Sequence, residues 1–287
     1  MENKTILITG ATGGIGKETA KALAKKGHTI IIHGRNLAKT QAVCNEIKTE
    51  TGNNNIDILL ADMLSLADVK KLAIEFKQKY GRLDVLINNA GGIFDKQREI
   101  SIDGLEKTMH LNLFTPFLLT QLLLDVLLKS SSGRIVNVSS RMHQFGGKYD
   151  LTDIQLENKY SPSKAYSLAK LYLIWNTRYL AKELKTKGIN NLSVNCLHPG
   201  VIATNFAKEG NNGWFINFLF SIPSFFLLKP EQGAETSIYL ASSPEVENIS
   251  GEYFAFKKKK RIMNCFLSSE NEKIVWDYCM EIVKAYL

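Results

Sequence analysis

Thr5-Ile6-Leu7-Ile8-Thr9-Gly10-Ala11-Thr12-Gly13-Gly14-Ile15-Gly16-Lys17 is the stretch that decides the fold. Its first part is a short apolar run with little polar alternation, which suits a strand covered on both faces. Glycines follow at once, and an amphipathic segment, Lys17–Lys26, begins behind them. Glycine lets the chain turn tightly and lets backbone approach an anion with no Cβ in the way. The N-terminus of the next helix adds unpaired N–H groups and a partial positive charge. A strand, a glycine turn and a helix in that order predict a cradle for a pyrophosphate. A purely structural glycine turn is the competing explanation.

Outward from this unit, similar apolar runs recur at Thr29–His33, Ile56–Ala61, Leu83–Asn88, Arg134–Ser139 and Leu192–Leu197. Helical stretches lie between them at Asn36–Thr51, Ser65–Tyr80, Leu105–Leu128 and Pro162–Lys187. Repeated strand–helix units predict an α/β fold, a doubly wound, mostly parallel sheet with helices on both faces. No fixed repeat or low-complexity linker interrupts the pattern, so one domain over 1–287 is the simplest organisation. The Leu105–Leu128 stretch is apolar almost all round and predicts burial, inside the fold or against another subunit.

Composition sets outer limits. The 287 residues are 45% hydrophobic and 22% charged, with ample material for a core. Part of the net charge of +8 sits in one run, Lys257 to Arg261, which has no interleaved aromatic residue and reads as a solvated turn. No nucleic-acid motif appears. Cys44, Cys196, Cys265 and Cys279 are scattered with no CxxC pair, so we expect no metal site and reduced thiols in a cytoplasmic setting. The N-terminus lacks the pattern of a signal peptide. The most membrane-like stretch, Trp214 to Leu228, is too short to span.

The spacing Thr9-Gly10-x-x-x-Gly14-x-Gly16 resembles the cofactor motif of the short-chain dehydrogenase/reductase family. The resemblance implies a Rossmann-type nicotinamide-dinucleotide site contacted by Gly10, Thr12, Gly14, Ile15 and Gly16. It continues along the chain. Asp62 resembles the residue that contacts the adenine, and Asn88-Asn89-Ala90-Gly91 resembles the motif in which Asn89, Ala90 and Gly91 line the cofactor. His198-Pro199-Gly200-Val201-Ile202-Ala203-Thr204 resembles a pattern that implies cofactor contacts from Pro199, Ile202 and Thr204. His198 itself is expected to pack at the strand end. Asp62 as a helix-preceding cap and the asparagines as turn formers are the structural alternatives.

Which dinucleotide binds is argued from charge. At the end of the second strand, His33-Gly34-Arg35-Asn36 offers no carboxylate for a ribose 2′-OH, whereas the Arg35 guanidinium suits a 2′-phosphate. NADP(H) is therefore expected over NAD(H).

Two Tyr-x-x-x-Lys pairs compete for the chemistry, Tyr160/Lys164 and Tyr166/Lys170. Hydride transfer to a carbonyl needs a proton donor, and a neighbouring ammonium would make a phenol more acidic. Residues four apart share a helix face. Pro162 decides between the pairs, since proline is tolerated in a helix's first turn and excluded from its interior. With Ser161 as N-cap, Tyr160 falls before the helix, while Tyr166 and Lys170 fall inside it. Ala165-Tyr166-Ser167-Leu168-Ala169-Lys170-Leu171 and Leu180-Ala181-Lys182-Glu183-Leu184 also resemble the retinol-dehydrogenase-like branch of the family.

The resemblance further implies a catalytic serine at the end of the fifth strand, Ser140 by register with Ser139 as runner-up. It implies that Asn112 supports a water relay to Lys170. Phe206 to Leu228, rich in phenylalanine, is expected to form a substrate lid, read equally as core cover or as an apolar wall. The expected activity is NADP(H)-dependent oxidoreduction of a small lipophilic carbonyl or alcohol. A non-catalytic NADP(H)-binding sensor or scaffold and a sugar-nucleotide epimerase are the alternatives. Peripheral membrane contact and homo-oligomerisation stay open.

Overall fold

The computed structural model describes residues 3–94, 96–201 and 228–287. Ile202, Thr204 and nearly all of the expected lid lie outside these residues. The strands are β1 (Thr5–Ile8), β2 (Thr29–Gly34), β3 (Ile56–Leu60), β4 (Val85–Asn88), β5 (Gly133–Val138), β6 (Leu192–Leu197), β7 (Tyr253–Ala255) and β8 (Lys258–Lys259). They form one sheet in the order 3-2-1-4-5-6-7-8. β1 through β7 pair in parallel, and β8 closes the edge as an antiparallel hairpin with β7.

The unbroken apolar runs follow from burial on two sides. Ile6 and Ile8 point into a core shared with α1 (Gly14–Ala24) and α2 (Leu37–Thr51), while Leu7 points into the opposite one. That second core is built with α3 (Leu66–Lys79) and with the longer helices described next. Asn36 caps α2 by accepting from Lys39 N (2.9 Å), and Ser65 caps α3 by accepting from Asp68 N (3.2 Å).

The leucine-rich segment is a helix with an altered turn. α4 (Lys107–Met109) runs into a π-helical turn over His110–Phe114, and α5 (Thr115–Leu127) continues from it. Asn112 donates its amide to Thr108 O (2.7 Å). Pro116, two residues into α5, has no N–H to return to the preceding turn. Such turns often mark functional positions. Among the described residues this is the one helix long and apolar enough to cross a membrane, yet 72% of its apolar window is buried inside the protein. Its placement is that of a core helix, inside the fold.

α6 (Pro162–Thr186) packs against α4 and the π-helical turn, and α7 (Pro230–Ser242) covers the other face against α1. The end of the chain, uninformative as sequence, forms α8 (Ser269–Val283) and lies along α6. Trp276 meets the Phe117 ring edge-on at 4.8 Å, Arg178 pairs with buried Glu272 at 2.6 Å, and Trp175 Nε1 donates to Phe266 O at 2.7 Å.

Chain direction reverses its order between β1 and β4, the switch point at which open parallel sheets bind ligands. The glycine turn, Arg35, the Asn88–Gly91 segment and Ser140 all lie at or just beyond the carboxyl ends of strands in this sheet.

Candidate active site

At Gly10 and Gly16 the glycine turn makes contacts that leave no room for a side chain. Gly10 has φ +64°, and a Cβ there would stand 2.9 Å from Ala90 Cα, so the β1 and β4 loops touch at the switch point. A Cβ on Gly16 would stand 2.5 Å from both Gly10 O and the Asn89 amide nitrogen. Gly13 has nothing within 4 Å of its Cβ position, and no side chain caps α1 there. The 11-residue α1 thus presents its first turn to the open side of the loop. These features fit a dinucleotide pyrophosphate.

Three polar side chains fix this loop. Asn89 donates its amide to Thr9 O (2.8 Å) and Gly10 O (3.1 Å), and Thr9 Oγ1 accepts from Asn89 N (3.0 Å) and Ala90 N (2.9 Å). His33, with no role assigned from sequence, is the third. Its Nδ1 accepts from Gly10 N at 3.1 Å, so the proton must lie on Nε2, which donates to Ala61 O at 3.1 Å. Burial holds this imidazole down at about 4, so it stays neutral and ties together the ends of β1, β2 and β3. No local pattern announces such a residue, because its partners lie 23 and 28 positions away. Asn88 is absorbed by the core, donating to Thr120 Oγ1 (3.1 Å) and Asn137 Oδ1 (2.8 Å).

Arg35 is exposed at the end of β2. Thr12 lies beside it, since a Cβ on Gly34 would stand 2.5 Å from Thr12 Cγ2. Asp62 Oδ1 accepts from Leu64 N (3.0 Å), a turn preceding α3, while the cap of that helix is Ser65. Ile15 is half-buried on α1, and Pro199 follows β6 at the same edge of the sheet.

The helix carrying the tyrosine begins as expected: Ser161 Oγ accepts from Lys164 N (3.3 Å), and Pro162 is the first helical residue. Tyr160 precedes the helix. Tyr166 and Lys170 are buried one turn apart, with Lys170 Nζ 5.6 Å from the Tyr166 ring centroid. The Tyr166 hydroxyl hydrogen-bonds the Ser140 side chain. Ser140 Oγ also accepts from Met142 N (3.1 Å). Ser139, the runner-up, is committed elsewhere, donating to Lys170 O at 2.9 Å. Lys170 Nζ donates to Val138 O at 2.8 Å. Asn112 reaches the same point: its Oδ1 accepts from Gly92 N (3.2 Å), its Nδ2 donates to Gly92 O (2.8 Å), and a Cβ on Gly91 would meet Asn112 Oδ1 at 2.8 Å and Lys170 Nζ at 3.2 Å. Ser140, Tyr166, Lys170, Asn112 and the Gly91 loop therefore converge.

Charge behaves differently from the expectation that an ammonium would make the phenol acidic. Burial pushes Tyr166 up to about 12, opposed by the Ser140 hydrogen bond. Burial likewise draws Lys170 down to about 7. Removing both groups from water penalises each charged form, so among protein groups alone the neutral pair is favoured.

The family model described as short chain dehydrogenase matches residues 4–213. The chain is 36% identical over 291 residues to human Retinol dehydrogenase 14, covering 96% of this chain and 85% of that protein. It is 35% identical to human Polyprenol dehydrogenase, covering 98% and 85%. Among solved structures, a short chain dehydrogenase from Salmonella enterica aligns with a TM-score of 0.71 at 26% identity, covering 90% of this chain and 97% of that one. The Pseudomonas aeruginosa RhlG/NADP active-site complex aligns with a TM-score of 0.69 at 25% identity, covering 88% and 94%. With the parallel sheet, the glycine turn and these matches together, the chain belongs to the short-chain dehydrogenase/reductase family of nicotinamide-dependent oxidoreductases, in its retinol-dehydrogenase-like branch.

Proposed function

We propose that the protein is an NADP(H)-dependent oxidoreductase acting on a lipophilic alcohol or the corresponding aldehyde or ketone, in one catalytic domain over residues 1–287. The observation that carries this is the bond between the Tyr166 hydroxyl and the Ser140 side chain, with Lys170 one turn along and the glycine cradle at the same sheet edge.

Bound along that edge, a reduced nicotinamide would supply two electrons as hydride to the carbonyl carbon. Gly10, Thr12, Gly14, Ile15 and Gly16 would hold its pyrophosphate end, with Arg35 toward the 2′-phosphate and Asp62 toward the adenine. Asn89, Ala90, Gly91, Pro199, Ile202 and Thr204 would line the rest. Ser140 would orient the substrate carbonyl oxygen, and Tyr166 would give its hydroxyl proton to that oxygen. Lys170, as ammonium, would stabilise the phenolate left behind, with two further N–H donors beyond the one on Val138 O. Asn112 would hold the Gly91–Gly92 loop against Lys170 and support the return of the proton.

The NADP(H) preference rests on Arg35 and on likeness to a protein solved with NADP. The lipophilic substrate rests on the phenylalanine-rich 206–228 sequence as lid and on the names of relatives that act on retinol and polyprenol. The cytoplasmic placement rests on four cysteines that form no disulfide, three of them buried.

Oxidation of NADPH should be followed over aldehydes and ketones of graded chain length, retinal among them, and repeated with NADH. NADPH should be preferred, and Arg35→Glu should cut that preference by about ten- to a hundredfold, the worth of one charge-assisted contact. Equal use of both cofactors would overturn the preference. Failure to bind either would overturn the reading itself.

A further inference from the structure

Behind Ser140 lies a buried cluster that the chemistry above does not use. The 3₁₀ turn Arg141–Phe145 places His143 so that both its backbone and its ring hold one atom, the Ser140 carbonyl oxygen. His143 N donates to it at 3.2 Å, and His143 Nδ1 stands 2.7 Å from it. A carbonyl oxygen can only accept, so Nδ1 carries the ring proton. Nε2 is then a bare lone pair, and it is buried without a partner among the described residues. An apolar side chain would fill the same space without leaving a buried acceptor unpaired, so the histidine needs another reason.

Tyr253 and His198 complete the cluster. The Tyr253 hydroxyl lies 2.7 Å from His198 Nδ1 and 3.5 Å from His143 Nδ1. Because His143 Nδ1 already bears a proton, the tyrosine donates to His198, whose own proton then lies on Nε2. The His143 ring meets Tyr253 edge-on at 5.1 Å and Phe266 at 6.1 Å, while His198 stacks on Tyr253 at 5.5 Å. Burial holds both imidazoles below their ordinary value, so these proton positions persist through the neutral range. The serine turn is thereby tied to His198-Pro199 at the end of β6.

We infer that His143 is a positioning residue for Ser140: its Nδ1–H fixes the Ser140 peptide, and through it the aim of Oγ at Tyr166, with Tyr253 locking the His143 ring in place. The inference rests on Ser140 acting on the substrate as proposed above. Ser140 has extended backbone angles, φ −148° and ψ 151°, and rotation of its peptide would carry Oγ away from the Tyr166 hydroxyl. Misplacement of a reacting group by about 1 Å can cost on the order of a hundredfold in rate.

Asparagine can place an amide N–H near the position of Nδ1, glutamine near that of Nε2, and leucine offers neither. His143→Asn, His143→Gln, His143→Leu and Ser140→Ala should be compared for kcat, KM for NADPH, melting temperature and the pH profile of alcohol oxidation. His143→Asn should stay within about threefold of wild-type kcat, while His143→Gln and His143→Leu fall by about ten- to a hundredfold with KM for NADPH unchanged. In those two variants the acid limb of alcohol oxidation should move to higher pH, because Ser140 no longer assists the phenolate. If His143→Leu fails to fold, the asparagine–glutamine pair decides. Should His143→Gln keep wild-type kcat while Ser140→Ala is inactive, the positioning role is wrong and the serine's role stands. Should His143→Asn be as slow as His143→Gln at equal melting temperature, the role is also wrong. A fully active Ser140→Ala would overturn the serine's role and this inference with it.

Discussion

Tyr160/Lys164 and Tyr166/Lys170 have the same spacing, lie six residues apart, and differ in almost everything that chemistry requires. Tyr160 sits half-buried against the core before the helix begins, and Lys164 spends its backbone N–H on the Ser161 cap. Tyr166 and Lys170 are buried within the helix, 7% and 3% exposed, facing Ser140 and Val138. One proline and one serine divide the two pairs. A four-residue spacing carries chemistry only after a helix boundary has been drawn through it and a buried face chosen. The comparison also shows what burial does to such a pair: it holds the phenol protonated and weakens the amine's hold on its proton, so charge from outside these two side chains is needed to make the phenol acidic.

The sharpest way to break the comparison is to remove each hydroxyl. Tyr166→Phe should lower kcat by about 10² to 10⁴, the usual worth of a positioned proton donor, with NADPH binding by fluorescence retained. Tyr160→Phe should leave kcat within about twofold, since nothing in the proposed chemistry touches it. The reverse result would exchange the two pairs.

Lys170 supplies a second, pH-dependent contrast. In the reductive direction both Tyr166 and Lys170 must be protonated. With the lysine drawn down to about 7 and the tyrosine pushed up to about 12, the lysine loses its proton first. kcat/KM for NADPH, which reports the free enzyme, should therefore fall as pH rises above about 7. Lys170→Met should be slower at every pH and show no such fall, while Lys164→Met should keep the wild-type profile.

The smallest effect belongs to the boundary itself. Ser161→Ala removes the cap and should cost about 1 kcal/mol of stability, read as a melting temperature lower by roughly 2–4 °C, with kcat nearly unchanged. A large loss of activity would mean that the cap also holds Tyr166 in place.

What could be read from the chain without its structure was what local rules govern. The glycine turn, the apolar strands and the Ser161-Pro162 helix start each depend on neighbours in sequence, and each lies where it was expected. The leucine-rich segment was legible as buried but not as interrupted, because the π turn depends on how Asn112 engages Thr108 and Gly92. His33 and the tail were illegible for the same reason, since Gly10 meets His33 across 23 positions and Trp175 meets Phe266 across 91. The direction of the tyrosine shift was missed because spacing reveals a nearby amine but not the loss of water around both groups. Ile202, Thr204 and the aromatic lid keep their standing as expectations from sequence.

The most direct measurement is the titration of Tyr166 followed by NMR with carbon-13 at the phenol carbon, alone and with NADP⁺, using Tyr166→Phe to assign the resonance. Tyr166 should titrate near 12 in the protein alone and markedly lower once the positive nicotinamide is bound, while Tyr160 does not respond. A Tyr166 phenol indifferent to NADP⁺, or a Tyr160 phenol that responds in its place, would contradict it.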